Sequence, residues 1–300
     1  MHVRVLGAAA GGAFPQWNCS CSNCTRLRQG RLHGRARSQA QIAFSADESD
    51  WFLLNASPDL RYQIESFPPL HPQTSCLRHS PIAAILLPSA ELDAVLGLLI
   101  LRESQPLTVY ATPAVRQILV CDNSLFQVLR RQSGQIRWID ISPGTRFALQ
   151  DSGIHCCAIS ASRGFPGFTP EHRIGNLDPA EAVLGFIFEH NGRRAAVFPA
   201  VPRVNPHWLE EFKTCDVVFF DGTFWSDDEL IHVSPRAKTA RQMGHIPVQD
   251  SFTALAGLKA RKIFIHINNT NPILDQDSDE YRQIRDAGWE LAFDGMDLIV

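Results

Sequence analysis

The sequence has no long hydrophobic run, no basic run and little excess of charge of either sign, and each absence closes off a class of function. Its longest apolar candidate, residues 90–101, is broken by Glu91 and Asp93, short of the roughly 18 uninterrupted residues of a membrane-crossing helix. No membrane span is expected. With 28 Lys+Arg against 31 Asp+Glu and a net charge of −3, there is no stripe of cations to neutralise phosphates, so nucleic acid is not an expected partner. The start of the chain, Met1-His2-Val3-Arg4-Val5-Leu6-Gly7, alternates like a strand and lacks the apolar core and cleavage site of a secretory signal, which makes the cytoplasm the expected location. The 19 Gly and 19 Pro are spread rather than clustered, and no repeat or low-complexity tract stands out, so a disordered or collagen-like chain is excluded. What remains is a 300-residue, 45% hydrophobic chain, read as one globular domain over residues 1–300 that acts on a small molecule.

Strand-like runs recur at 40–44, 51–55, 82–87, 107–110, 136–141, 146–150, 154–160, 183–190, 194–198, 216–221, 262–266 and 291–293. Helical patterns interleave at 58–65, 90–102, 113–120, 124–131, 205–213, 248–258 and 278–287. That many strands exceed one small sheet. The Asn191-Gly192 turn between two runs predicts an antiparallel hairpin, so the expected class is α/β (α+β): a sandwich of two mixed sheets flanked by helices. Residues 161–179, rich in Gly, Pro and charge, read as a long surface loop.

The sharpest local signal is Cys19-Ser20-Cys21-Ser22-Asn23-Cys24. A C-x-C-x-x-C brings three thiolates within reach of one soft cation, preferentially tetrahedral Zn²⁺ in a closed structural site; the bland alternative is three loop residues with free thiols. The small residues before it, Ala8-Ala9-Ala10-Gly11-Gly12, would let backbone or ligand approach closely. They are not a dinucleotide fingerprint, since no helical pattern follows the glycines.

A second signal is a set of polar residues at strand ends. Asp221 closes Val217-Val218-Phe219-Phe220, His266 closes Ile263-Phe264-Ile265, and His245 lies in a loop before a helix. Together they could share a metal or a substrate at one sheet edge. Singly, an Asp after a strand is usually a turn residue and a His usually a satisfied structural imidazole. Glu91 and Asp93 fall at the first turn of an apolar helix, where stabilising the helix dipole is the bland reading.

Phe14-Pro15-Gln16-Trp17-Asn18-Cys19 with Cys21 and Cys24, Asn55-Ala56-Ser57-Pro58-Asp59-Leu60-Arg61, Phe220-Asp221-Gly222-Thr223, Met243-Gly244-His245 and His-Ile-Asn-Asn-Thr-Asn-Pro at 266–272 together resemble the coenzyme PQQ (pyrroloquinoline quinone) synthesis protein B family of the metallo-β-lactamase superfamily. The resemblance runs over essentially the whole chain. It implies an αββα metallo-β-lactamase-like fold and a role in making PQQ from a peptide derived from Glu and Tyr. Two activities are implied: a non-haem iron hydroxylase acting on the tyrosine-derived ring, or a carrier that helps move PQQ or its precursor to the periplasm.

The superfamily's His-x-His-x-Asp-His motif falls on Ser89, Glu91, Asp93 and Ala94, so only the Asp survives, and Ala94 stands where the resemblance implies an imidazole. The superfamily's bridging Asp falls near Pro199-Ala200, which counts against a dinuclear metal-dependent hydrolase. The implied site is therefore Asp93, Asp221, His245 and His266, as catalytic residues and as ligands of one Fe(II), with Glu91 or water in the place that Ala94 vacates. The structural zinc would take Cys19, Cys21 and Cys24 and a fourth ligand from Asn269 or His266. The expected ligand is PQQ or an acidic, aromatic precursor, with Arg61 a candidate clamp; a homodimer is left open.

Overall fold

The computed structural model describes all residues except 74–76, 104, 132 and 162–163. The first sheet is built from β1 (His2–Gly7), β2 (Gln41–Ser45), β3 (Trp51–Leu54), β4 (Ile82–Leu86), β5 (Leu107–Ala111) and β6 (Ile136–Asp140). The second takes β7 (Arg146–Ala148), β8 (His155–Ser160), β9 (Leu184–His190), β10 (Arg193–Phe198), β11 (Val217–Asp221), β12 (Arg261–Ile265) and β13 (Trp289–Leu291), after which β14 (Asp297–Ile299) returns to the first. Strand orders are β14-β1-β2-β3-β4-β5-β6 and β13-β12-β11-β10-β9-β8-β7. Both sheets are mixed: β3 to β6 and β10 to β13 run parallel, and the rest pair antiparallel.

The sequence makes layers because its central strands are apolar on both faces. In β11, Val217 and Phe219 face the core between the sheets while Val218 and Phe220 join the outer core, as the two-residue period of an extended chain requires. Between the sheets, the Phe44 and Phe188 rings meet with centroids 4.2 Å apart. Outside, helix Pro113–Val120 covers the first sheet, and helices Pro206–Phe212, Val248–Ala254 and Asp279–Asp286 cover the second. This is the expected αββα sandwich. Among the described residues, no helix is long and apolar enough to cross a membrane.

Several local expectations are corrected. The helix expected over 90–102 is two short ones, Leu92–Val95 and Gly97–Ile100. Its ladder breaks because the Ala94 carbonyl accepts from Ala56 N (2.7 Å) and Gly97 N donates to Ala56 O (2.7 Å). The segment 161–179 contains a helical turn, Glu171–Ile174, and residues 162–163 of it lie outside the described ones. Helix Ser22–Arg28 and strand β14 carried no periodic signal: the first starts within the cysteine motif and runs four residues past it, and the second is three residues recruited by pairing with β1.

The hairpin at Asn191-Gly192 forms as expected, both residues at positive φ (51° and 75°). Gly222 is required for a different reason. A Cβ there would lie 2.8 Å from Phe264 Cβ and 3.1 Å from Ile265 O, so any side chain pries β11 from β12 just beyond Asp221. Gly222→Ala is expected to lower stability by roughly 1–3 kcal/mol, read as a fall in Tm; an unchanged Tm would mean that the strand ends are not packed this tightly.

Candidate active site and cysteine site

β11 and β12 run parallel with Asp221 opposite Ile265, so Asp221-Gly222-Thr223 and His266 emerge side by side at one edge. β4, in the opposite sheet, leads through Ser89, which bridges to Val183, into the helical turn that carries Asp93. His245 follows Gly244, whose φ of 77° is a left-handed conformation suited to glycine. His266 itself holds φ at 60°, an uncommon conformation for a side-chain-bearing residue and one that recurs at functional sites.

These four residues meet. Asp221 is fully buried, and its two oxygens receive four donors: Oδ1 from Thr223 N (3.0 Å) and the Thr223 hydroxyl (2.6 Å), Oδ2 from Val201 N (2.9 Å) and His245 Nδ1 (2.8 Å). Burial by itself would raise its pKa, yet the neighbouring His245, the bond between them, and then His266 and Thr223 hold the carboxyl below its ordinary value. The His245 and His266 rings stack with centroids 5.4 Å apart. His266 Nε2 lies 3.0 Å from Asp93 Oδ2, a separation that suits either a hydrogen bond or two ligands of one ion. Ligand atoms of Asp221, His245 and His266 lie within 4.8 Å of one another.

Asp93, His245 and His266 open onto a cavity of about 720 Å³, with Glu91 also on its wall; Asp221 stands behind the wall. Gly11 and Gly12 line it as well, and a Cβ on Gly11 would come within 3.7 Å of Asp93 Oδ2, so the expected close approach is to a site carboxylate. Phe165, Phe168 and Phe224 supply aromatic surface, and Lys238 and Arg241 supply positive charge, Arg241 also pairing with Asp250. Ala94 is buried in the apolar core outside the first sheet and offers no donor. Arg61 is exposed and is not part of the cavity wall.

The three cysteines converge separately. The sulfurs of Cys19, Cys21 and Cys24 lie within 4.8 Å of one another, which fits a metal site, since tetrahedral zinc with Zn–S near 2.3 Å holds sulfurs about 3.8 Å apart. Asn269 places its side-chain amide against all three, its nitrogen 3.1, 3.6 and 3.3 Å from Cys19, Cys21 and Cys24. Of the two fourth-ligand candidates, Asn269 is the one beside the sulfurs; the His266 ring lies against Thr223 and Asp93 instead. Crowded thiols resist ionising together: hydrogen bonds from Cys21, Cys24 and Asn269 outweigh burial to hold Cys19 low, while burial, and then Cys19 and Cys24, push Cys21 up to about 12. A divalent cation relieves that conflict. The other four described cysteines are also free thiols; Cys76 lies outside the described residues.

Thr223, Lys238, Arg241 and Glu229 were not singled out in the sequence as functional residues. Only Thr223 had a signal, in Asp221-Gly222-Thr223. Glu229 bridges Trp225 N (2.5 Å) and the Thr270 hydroxyl beneath the site. Burial pushes its pKa up to about 7, only partly countered by those two bonds. A raised folded-state pKa stabilises the fold fully below the ordinary value of 4.5 and loses that contribution as pH rises through about 7. Between pH 5 and 8 the wild type should therefore lose up to about 3 kcal/mol relative to Glu229→Gln, measured by denaturant unfolding across that range. Parallel pH profiles for the two proteins would contradict the assignment.

A family model for the beta-lactamase superfamily domain matches residues 50–267. Over 100% of both chains, the sequence is 41% identical to coenzyme PQQ synthesis protein B of Methylococcus capsulatus, and over 99% of both to that of Azotobacter vinelandii, again at 41%. Among solved structures, Zn²⁺-bound PqqB from Methylobacterium extorquens superposes with a TM-score of 0.87 at 38% identity, covering 100% of both chains. A diphosphatase of the PhnP family shares the fold at a TM-score of 0.69 and 19% identity, over 100% of this chain and 97% of the other.

Proposed function

Because the chain belongs to the coenzyme PQQ synthesis protein B family, we propose that it acts in PQQ biosynthesis as an Fe(II)-dependent hydroxylase of the tyrosine-derived ring of a PQQ precursor. The observation that carries the reading is the approach of His266 Nε2 to Asp93 Oδ2, 3.0 Å apart beside His245 on the wall of a large cavity. Two imidazoles and one carboxylate with open positions are a donor set that suits non-haem iron. When bound, the iron supplies activation of O₂ for insertion of oxygen into an aromatic C–H bond. Asp93, His245 and His266 would hold it. Asp221, with its lone pairs filled, would act behind them by orienting His245.

The rest of the cavity fits the substrate class. A volume of about 720 Å³ lies within the usual range of small-molecule sites. Lys238 and Arg241 give carboxylates a positive rim, and Phe165, Phe168 and Phe224 give an aromatic ring faces to pack on. The cysteine trio would hold a structural zinc with Asn269 as the fourth ligand through its side-chain oxygen, the amide turned over from the orientation in which its nitrogen donates to the sulfurs, a reading supported by thiolate chemistry and by the Zn²⁺ in the related structure. Free thiols at all seven cysteines among the described residues suit a reducing compartment, the cytoplasm.

One observation favours a second reading. Ala94 puts a buried methyl where the resemblance implies a ligand, which favours a carrier that binds PQQ or its precursor without turnover. The test supplies purified protein with Fe(II), a reductant, isotopically labelled O₂ and the diamino acid made by cross-linking Glu to Tyr. The expected outcome is ring hydroxylation with labelled oxygen, reduced roughly a hundredfold or more in His266→Asn, an exchange chosen because Asn tolerates the positive φ at this position. Tight binding with no hydroxylated product would overturn the hydroxylase in favour of the carrier.

A further inference from the structure

We infer that Thr223 is a positioning residue whose hydroxyl fixes the tautomer of both cavity imidazoles, holding hydrogen on each Nδ1 and leaving the His266 Nε2 that faces Asp93 as the metal-binding nitrogen; the inference rests on the site reading above. A hydroxyl has one proton to give and two lone pairs to receive with. Four polar atoms surround Thr223 Oγ1: Asp221 Oδ1 at 2.6 Å, the His266 carbonyl oxygen at 2.9 Å, His266 Nδ1 at 2.9 Å and His245 Nδ1 at 3.0 Å. The carboxylate and the carbonyl can only accept. The proton therefore goes toward Asp221, the shortest of the four contacts.

With its proton committed there, the oxygen can only accept from the two ring nitrogens. Both Nδ1 atoms then carry hydrogen. The opposite arrangement, in which Thr223 donates to His266 Nδ1, would set hydroxyl lone pairs against Asp221 Oδ1 at 2.6 Å in a buried cluster, where such repulsion is strongest. A neutral imidazole protonated on Nδ1 leaves Nε2 bare. For His266 that bare nitrogen faces Asp93 Oδ2 at 3.0 Å. With Nδ1–H held by Thr223, Nε2 is the nitrogen that can take a proton or a cation beside Asp93, so the tautomer set by Thr223 suits this pair to share one ion.

The two histidines differ in how much they depend on Thr223. His245 Nδ1 has a second acceptor in Asp221 Oδ2 at 2.8 Å, whereas the hydrogen-bond partner of His266 Nδ1 is Thr223. Removing the hydroxyl should therefore release His266 and spare His245, a split that general unfolding would not produce.

The test compares wild type, Thr223→Val and Thr223→Ser by ¹⁵N NMR of the histidine rings in the full-length protein, together with anaerobic titration with Fe(II) alone. The wild type and Thr223→Ser should show Nδ1–H on both rings. Thr223→Val should lose it on His266 only and weaken Fe(II) binding roughly ten- to a hundredfold. A wild-type His266 with a bare Nδ1, or a Thr223→Val protein with unchanged tautomers and Fe(II) affinity, would overturn the inference. Should the valine variant fail to fold, the wild-type and serine spectra still decide it. Ring tautomers as expected without hydroxylation would remove the hydroxylase reading alone; hydroxylation with the other tautomer would remove this one alone.

Discussion

Everything at the mouth depends on how one short stretch after β12 is held. Residues 266–271 leave the sheet with His266 at positive φ, place that ring against Thr223 and Asp93, and three residues later place Asn269 among the three cysteine sulfurs. Asn271 then donates to Gly222 O (3.0 Å), and Asn23 of the cysteine helix donates to the carbonyls of Asn269 (3.2 Å) and Asn271 (2.9 Å). Thr270 reaches Glu229 in the same span. A backbone tied at so many points can sustain an unfavourable dihedral, because the local cost of about 1–2 kcal/mol is spread over contacts that fix both neighbours. The cysteine site is thus part of the positioning of His266, although the two groups share no ligand.

The layers of the fold were legible in the sequence because they rest on hydrophobic periodicity. The runs around β9 to β12 stand out as apolar on both faces, and Asn191-Gly192 marks their one tight hairpin. What escaped was set by tertiary contact. The break between Leu92–Val95 and Gly97–Ile100 comes from Ala56 reaching in from another segment, and β14 exists only because β1 offers an unpaired edge.

The site divides in the same way. Strand ends announced Asp221 and His266, and tight spacing announced the cysteines, since topology and thiol chemistry constrain both. Asp93 was as plausible a helix-dipole residue until its carboxylate came to lie against His266. Glu229 and the Lys238 and Arg241 rim act through contacts with residues remote in sequence, which no local pattern encodes, and Thr223, although visible beside Asp221, gains its role from the two imidazoles. Arg61, by contrast, is a surface helix residue.

The central claim is that this chain organises two distinct cation sites joined by residues 266–271, with Asp93 and His266 as partners in one and the cysteine trio in the other. Crystals of the protein loaded anaerobically with Fe(II), measured by anomalous diffraction at the zinc and iron edges, test it most directly. The account predicts a zinc peak amid Cys19, Cys21 and Cys24 and a single iron peak touching His266 Nε2 and Asp93 Oδ2. Iron bound elsewhere, or nothing at the mouth while zinc fills the cysteine site, would contradict it.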